Sequence, residues 1–207
     1  FDLDGTLIRP RKLRYIALYY KAFSDALGRY DRTWEKHRQL TELLSRLLIL
    51  PSSLSDPRES TFADRVFNRL DRLKNPAIRT NREAVKTATH RHLRNNASTQ
   101  PMGSMHEIFQ EIINSDCKVA VLTRPLVYAD LNRLALQQAN FDTEDLTFVN
   151  GWDRSRFPKH TKKYYESVLD RLNINPDNAL HVGDDIIRDG AACGAGMDVF
   201  LVENEGS

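Results

Sequence analysis

An open parallel α/β sheet is predicted for most of this chain, and three observations predict it. Compact apolar runs alternate with stretches of helical period after residue 98. Several of those runs lack the polar alternation of a half-exposed strand, which marks strands buried on both faces. Polar and charged residues gather just beyond the runs, where ligands of open parallel sheets bind.

The chain opens on Phe1-Asp2-Leu3-Asp4-Gly5-Thr6-Leu7. Asp2 and Asp4 are two positions apart at a strand-to-turn junction, so both carboxylates can approach one reacting atom. One could attack while the other transfers a proton. An acidic turn with no chemistry would use the same residue types. Only Phe1 precedes Asp2, so the strand is expected to continue upstream by about four to six mostly apolar residues.

Residues 11–98 read as helical throughout. Leu13, Ile16, Ala17, Tyr20 and Leu27 recur at helical spacing, with Gly28 as the stop. Trp34, Leu40, Leu43, Leu44, Leu47 and Leu48 form a second helix ended by Pro51. Asp56-Pro57-Arg58-Glu59 predicts an N-terminus for a third helix carrying Phe62, Val66, Phe67, Leu70 and Leu73. Thr80-Asn81-Arg82-Glu83 opens a fourth, ending near Asn96. Four helices on short polar links suggest a small bundle.

Beyond Ser98, a helix over Met105–Asn114 leads into the strand Lys118–Thr123. A helix over Ala129–Ala139, a strand at Leu146–Val149 and a helix over Tyr164–Leu172 follow. Ala179–Gly183 reads as another buried strand, Ile186–Cys193 as a helix, and Asp198–Val202 as the last strand.

The 207 residues are 41% hydrophobic and 28% charged, in the range of globular domains. Residues 8–98 carry 20 Lys/Arg and 9 Asp/Glu, and the rest 10 and 19, so the net charge of +2 conceals two units of opposite sign. No apolar run is long enough to span a bilayer. Cys117 and Cys193, in apolar surroundings and without metal-ligand spacing, are expected to be buried free thiols in a reducing, cytoplasmic setting. A targeting segment upstream is left open. Arg65, Arg69 and Arg72 share one helix face, and Arg82, Lys86, His90 and Arg94 another. These are solvated surfaces or a positive lid for an anionic ligand. Nucleic acid is disfavoured, because no binding motif or stacking platform is present.

Four polar sites follow predicted strands or sit in strand-to-helix loops: Asp2-x-Asp4-Gly5-Thr6, Thr123 with the Arg124 amide, Lys159, and Gly183-Asp184-Asp185-x-x-x-Asp189. Carboxylates from two strands repel unless a hard cation lies between them, and Mg²⁺ prefers oxygen ligands. His181, inside a strand, is expected to be packed in the core. Trp152 is also read as packing, and His160 as a neighbour of Lys159.

These motifs, with Val121-Leu122-Thr123, His181-Val182-Gly183-Asp184-Asp185 and Gly194-Ala195-Gly196-Met197, make the chain resemble the haloacid dehalogenase-like (HAD) hydrolase superfamily over nearly its whole length. The resemblance implies a Rossmann-like core over residues 1–9 and 99–207, with helices on both faces. It also implies a type 1 α-helical bundle cap at 10–98, inserted after the first strand. It further implies a phosphatase for a small phosphorylated metabolite. Asp2 would be the nucleophile, forming an aspartyl-phosphate, and Asp4 the general acid and base. Thr6, Thr123, Arg124 and Lys159 would bind substrate, with Thr123 and Lys159 also catalytic. Mg²⁺ would be held by Asp2, the Asp4 carbonyl and Asp184, while Asp185 and Asp189 would orient ligands or support Lys159. The resemblance leaves open a sugar phosphomutase, a non-catalytic binder of a phospho-ligand or protein, and the oligomeric state. Members that cleave carbon–halogen bonds lack the carboxylate at the Asp4 position. This chain departs from the pattern at Arg124, where Asn is usual, at Pro158-Lys159-His160, where Lys-Pro is common, and at Ile8-Arg9-Pro10.

Overall fold

The computed structural model describes residues 1–9, 60–65, 68, 83, 86, 87, 90, 91, 99–124 and 127–203. The chain divides into two compact units, Phe1–Pro10 with Ser98–Ser207, and Arg11–Ala97.

In the first unit, β1 (Ala120–Val121) lies parallel to β2 (Phe148–Val149), and β3 (Leu180–Gly183) lies parallel to β4 (Asp198–Leu201). The registers place Val121 opposite Val149 and Gly183 opposite Leu201. Phe1 and Asp2 join the two pairs. The Phe1 nitrogen donates to the Ala120 carbonyl at 2.9 Å, and the Phe1 carbonyl accepts from the Leu122 N–H at 2.7 Å. One residue bonded to both flanks of Val121 is the ladder of a parallel pair. On the other edge the Asp2 N–H donates to the Val182 carbonyl at 2.7 Å. The order across the unit is therefore β2, β1, Phe1–Asp2, β3, β4.

Successive strand residues face opposite sides, and two apolar cores result. Val121 and Val149 meet Leu3, Phe109 and Ile113 of α1 (Met105–Ile113), and Ala135 and Leu136 of α2 (Ala129–Gln138). Leu122 and Phe148 meet Tyr164, Tyr165, Val168 and Leu169 of α3 (Lys162–Leu172), together with Ala192 and Ala195. This is the α/β sheet covered on both faces that the alternation of runs predicts. The helices stop at residues able to adopt a left-handed backbone, Asn140 (φ 63°) after α2 and Asn173 (φ 50°) after α3.

The structure departs from the sequence-based expectations at several points. Leu180 and Phe200 are 60% and 58% exposed, so the apolar run at 179–183 is not buried along its whole length, and β4 is largely open. Residues 186–193 do not form an α-helix. Turns lead into a 3-10 segment at Gly190–Ala195. The Asp185 and Asp189 carboxylates accept from nearby backbone N–H groups, which favours turns over a continuing helix. Both cysteines are free but exposed, correcting the expectation of burial. Residues 114–118 are exposed, so burial of that run begins only at Val119. The three-residue repeat of a 3-10 turn buries Ala192 and Ala195 and leaves Cys193 outside.

In the second unit, residues 62–65, 68, 83, 86, 87, 90 and 91 are helical. Residues 60 and 61 are not helical, and the helical residues 62–65 begin directly after Thr61. The Thr61 hydroxyl accepts from the Asp64 N–H at 3.2 Å, and Asp64 Oδ2 accepts from the Thr61 N–H at 3.2 Å. This reciprocal cap was not read from the sequence. The Arg65 guanidinium lies 4.4 Å from the Phe62 ring centroid, which qualifies its reading as a purely solvated charge. The helices expected at 13–27 and 34–48, the start at Asp56–Glu59, and Arg69, Arg72, Arg82 and Arg94 lie outside the described residues.

A buried polar network ties the first unit's layers together. The Tyr164 hydroxyl donates to the Thr123 carbonyl at 2.8 Å and accepts from the Asn150 amide at 2.6 Å. The Asn150 carbonyl in turn accepts from Asn132 of α2 at 2.7 Å. Burial pushes the Tyr164 phenol above its ordinary range, so it stays a neutral donor. Tyr164→Phe would leave a buried amide and a buried carbonyl each short of one partner. It is expected to lower stability by about 1–3 kcal/mol in urea denaturation.

Candidate active site

The candidate site is built at the carboxyl ends of β1 and β3, with Asp2 between them. After Asp2 the backbone folds back. The Leu7 and Ile8 N–H groups donate to the Leu3 carbonyl at 3.0 Å, and the Gly5 N–H donates to the Ile8 carbonyl at 2.8 Å. Gly5 has φ +97°, and a Cβ there would lie 2.3 Å from Asp184 Oδ2. Glycine therefore serves twice, for the turn and for the close approach of the Asp184 carboxylate. The Thr6 hydroxyl donates to Asp184 Oδ1 at 3.4 Å.

Lys159 is 3% exposed, and its Nζ lies 2.5 Å from both Asp2 Oδ1 and Asp189 Oδ1. Asp189 is fully buried and accepts from four donors. Its Oδ1 takes Lys159 and His181 Nε2, the latter at 2.7 Å. Its Oδ2 takes the Asp184 and Asp185 N–H groups at 3.1 and 2.9 Å. Gly183 permits this approach, because a Cβ there would lie 2.1 Å from Asp189 Cγ.

The buried charges respond differently. Burial pushes the Asp2 carboxyl up to about 7, with Lys159 opposing and Asp189 adding to the rise. Burial would raise Asp189 too, but hydrogen bonds from His181 and Lys159 and the Lys159 charge outweigh it, and Asp189 stays ionised well below the carboxylate range. Burial lowers His181 to about 4, so the ring is neutral and donates from Nε2 to Asp189. His181 is thus the packed core histidine that its strand position predicts.

Asp2, Asp184 and Asp189 each place a carboxylate oxygen within 4.8 Å of the others. The lone pairs of Asp189 are already engaged, so Asp2 and Asp184 are the carboxylates able to hold a metal. Hard oxygen donors of this kind suit Mg²⁺. Asp4 is close enough for its charge to raise Asp2 and to act on Arg124.

Thr123 is 4% exposed at the end of β1, its carbonyl fixed by Tyr164. Arg124, partly buried, follows. Its guanidinium makes no hydrogen bond or ion pair among the described residues. Burial, then the nearby Arg188 charge, lowers its pKa, while Asp4, Asp185 and Asp2 oppose this. Asp185 does not support Lys159. It is ion-paired to Arg188 and accepts from the Ile187 and Arg188 N–H groups at 3.0 and 2.9 Å. His160 is exposed. Trp152 is 6% exposed and packs edge-on against Tyr128, centroids 5.0 Å apart.

Sequence reasoning brought together Asp2, Asp4, Thr6, Thr123, Lys159 and Asp184. It did not find Tyr164 behind Thr123, the fourfold engagement of Asp189, or Arg188 beside the site. The Gly-Asp-Asp-x-x-x-Asp spacing, which can return one carboxylate onto its own loop, was the available signal for Asp189.

Solved structures similar to this one cover the whole chain. A 2-haloacid dehalogenase from Pseudomonas syringae pv. Tomato DC3000 aligns with TM-score 0.62 and 20% identity over 86% of its own length. A HAD phosphatase from Thermococcus onnurineus aligns with TM-score 0.58 and 20% identity over 86% of its length. A putative beta-phosphoglucomutase from Thermotoga maritima aligns with TM-score 0.51 and 18% identity over 87% of its length. At these identities the likeness is one of fold. No curated protein matches the sequence. The family model for haloacid dehalogenase-like hydrolases matches residues 1–196, nearly the entire chain, and the protein belongs to that family.

Proposed function

We propose that this hydrolase is a Mg²⁺-dependent phosphatase acting on a small phosphomonoester through an aspartyl-phosphate. The observation that carries the proposal is Asp4, a second carboxylate beside the Lys159-held Asp2. A halide leaves without protonation, whereas an alkoxide needs an acid, and Asp4 supplies one.

In this reading an Asp2 carboxylate oxygen attacks phosphorus while the bond to the leaving oxygen breaks. The Asp4 carboxyl gives its proton to that oxygen. The resulting Asp4 carboxylate then takes a proton from water as the water attacks phosphorus. The bond to Asp2 breaks, and inorganic phosphate leaves. Lys159 fixes Asp2 Oδ1, Asp189 fixes Lys159, and His181 fixes Asp189. Thr123 and the Arg124 amide hold phosphoryl oxygens at the end of β1. Mg²⁺ held by Asp2 and Asp184 supplies positive charge against the developing negative charge, the usual need of phosphoryl transfer.

Release of inorganic phosphate from an aryl phosphate, with Mg²⁺ and with chelator, tests the proposal. Halide release from 2-chloropropionate is measured in parallel. Phosphate release that depends on Mg²⁺, without halide release, is expected. Halide release without phosphate release would overturn the reading, and transfer of phosphate within a sugar phosphate would make the protein a mutase.

Asp2→Asn is expected to abolish turnover in a protein that still folds but melts at a lower temperature, because buried Lys159 loses one of its two carboxylate partners. Asp4→Asn is expected to slow phosphoenzyme breakdown by about 10²–10⁴-fold, the usual contribution of a general acid–base group. Trapped phosphoprotein should then accumulate with an aryl phosphate. Unimpaired turnover by Asp2→Asn would remove the covalent mechanism.

The pH profile follows from Asp2. A carboxyl raised to about 7 is mostly protonated below that pH in the metal-free protein, where it neither attacks nor binds a cation. At limiting Mg²⁺, kcat/KM is expected to fall about tenfold per pH unit below 7. Raising Mg²⁺ should move this limb to lower pH, because cation and proton compete for one carboxylate. A limb that ignores Mg²⁺ would assign the titration to another group.

A further inference from the structure

We propose that the Arg124 side chain, with Arg188 beyond it, binds a second anionic group on the substrate, so that the ester cleaved is one whose leaving group carries a carboxylate or phosphate. The proposal rests on the phosphatase reading and adds the substrate class to it.

Three observations carry it. Arg124 directly follows Thr123 at the carboxyl end of β1, and Arg188 lies in the loop after β3. Phe1 and Asp2 run between those strands, so the two arginines stand on either side of the strand that ends at Asp2. Their charges also act on each other, and those of Asp2, Asp4 and Asp185 act on Arg124. Both cations thus border the carboxyl end at which Asp2 lies.

The second observation is the state of the Arg124 guanidinium. It is partly withdrawn from water and makes no hydrogen bond or ion pair among the described residues. The other cations there are engaged: Lys159 by Asp2 and Asp189, and Arg188 by Asp185. A guanidinium partly withdrawn from water has lost part of its hydration, and its planar fork suits carboxylate or phosphate oxygens. Among the described residues, Arg124 is the cation at this site left to receive an anion.

The third is rigidity. The Thr123 carbonyl is held by Tyr164. The loop carrying Arg188 is held by the Asp185 carboxylate and by the Tyr165 hydroxyl, which donates to the Arg188 carbonyl at 2.7 Å. Both arginines therefore start from fixed backbone, which reduces the ordering cost of binding.

Two measurements test this. In the first, 3-phosphonopropionate and propylphosphonate, which differ by one carboxylate, are titrated against the full chain with Mg²⁺. In the second, kcat/KM is compared for glyceric acid 3-phosphate and glycerol 3-phosphate. The carboxylate-bearing member of each pair is expected to be favoured by roughly 10- to 100-fold, the scale of a charge-assisted pair. A bisphosphate analogue of glycerol shows whether a phosphate serves in place of the carboxylate. Arg124→Met should collapse the preference, Arg124→Lys should retain part of it, and Arg188→Gln should reduce it. Equal binding of the two phosphonates by the unaltered protein would overturn the proposal. So would loss of affinity by Arg124→Met for both alike, which would assign the guanidinium to the transferred phosphoryl group. Preferential binding without turnover of either ester would defeat the phosphatase reading and leave the second-anion site standing.

Discussion

Lys159 has almost no access to water, and its charge is compensated by Asp2 and Asp189. Removing one partner from such a buried ion pair costs about 3–5 kcal/mol, because the remaining charge is stranded. The cluster is therefore as much a constraint on the fold as on the chemistry. It requires Asp2 to end at the level of β3, the Lys159 loop to reach across, and the chain after β3 to return Asp189 beneath Lys159. His181 completes the arrangement from within β3. It is neutral, so it donates a hydrogen bond without adding a second positive charge.

Asp2 and Asp189 show how environment separates two carboxylates on one lysine. Asp189 has four donors and stays ionised, while Asp2 has the lysine and is pushed up by burial. The saturated carboxylate is fixed in place. The under-supplied one retains the capacity to take a metal, a proton or a bond to phosphorus. That asymmetry separates a carboxylate saturated by its donors from one still open to a ligand, in a group whose three oxygens are otherwise similarly placed.

Much of this was legible in the sequence because parallel sheets make it so. Strands buried on both faces leave apolar runs, and their functional residues follow at the next one or two positions. Asp2, Thr123 and Asp184 could be found in that way, and Lys159 by its place in the loop before α3. What was not legible depends on which side chain meets which. Nothing in Arg124 as a letter says that its guanidinium lacks a partner among the described residues, and nothing in Tyr164 says that its hydroxyl reaches the Thr123 carbonyl. The exposure of Cys193 follows from a three-residue rather than a 3.6-residue turn, a difference that hydrophobic pattern does not resolve over six residues. The Thr61–Asp64 cap uses Asp at the position where Glu or Gln is the common signal, so the pattern alone does not mark it.

The sequence separation of the site's contacts bears on how the chain reaches its native state. Lys159 and Asp2 are 157 positions apart, and Thr6 and Asp184 are 178 apart. Contacts so distant along the chain form only after large loops have closed, and chains dominated by them fold slowly. No local hairpin or helix pair can assemble the lysine, the two aspartates and the Gly5 turn. A partly folded intermediate would hold its segments without the site. Appearance of catalytic activity during refolding would then follow the last step of assembly, and the active fraction of a preparation would equal its fully folded fraction.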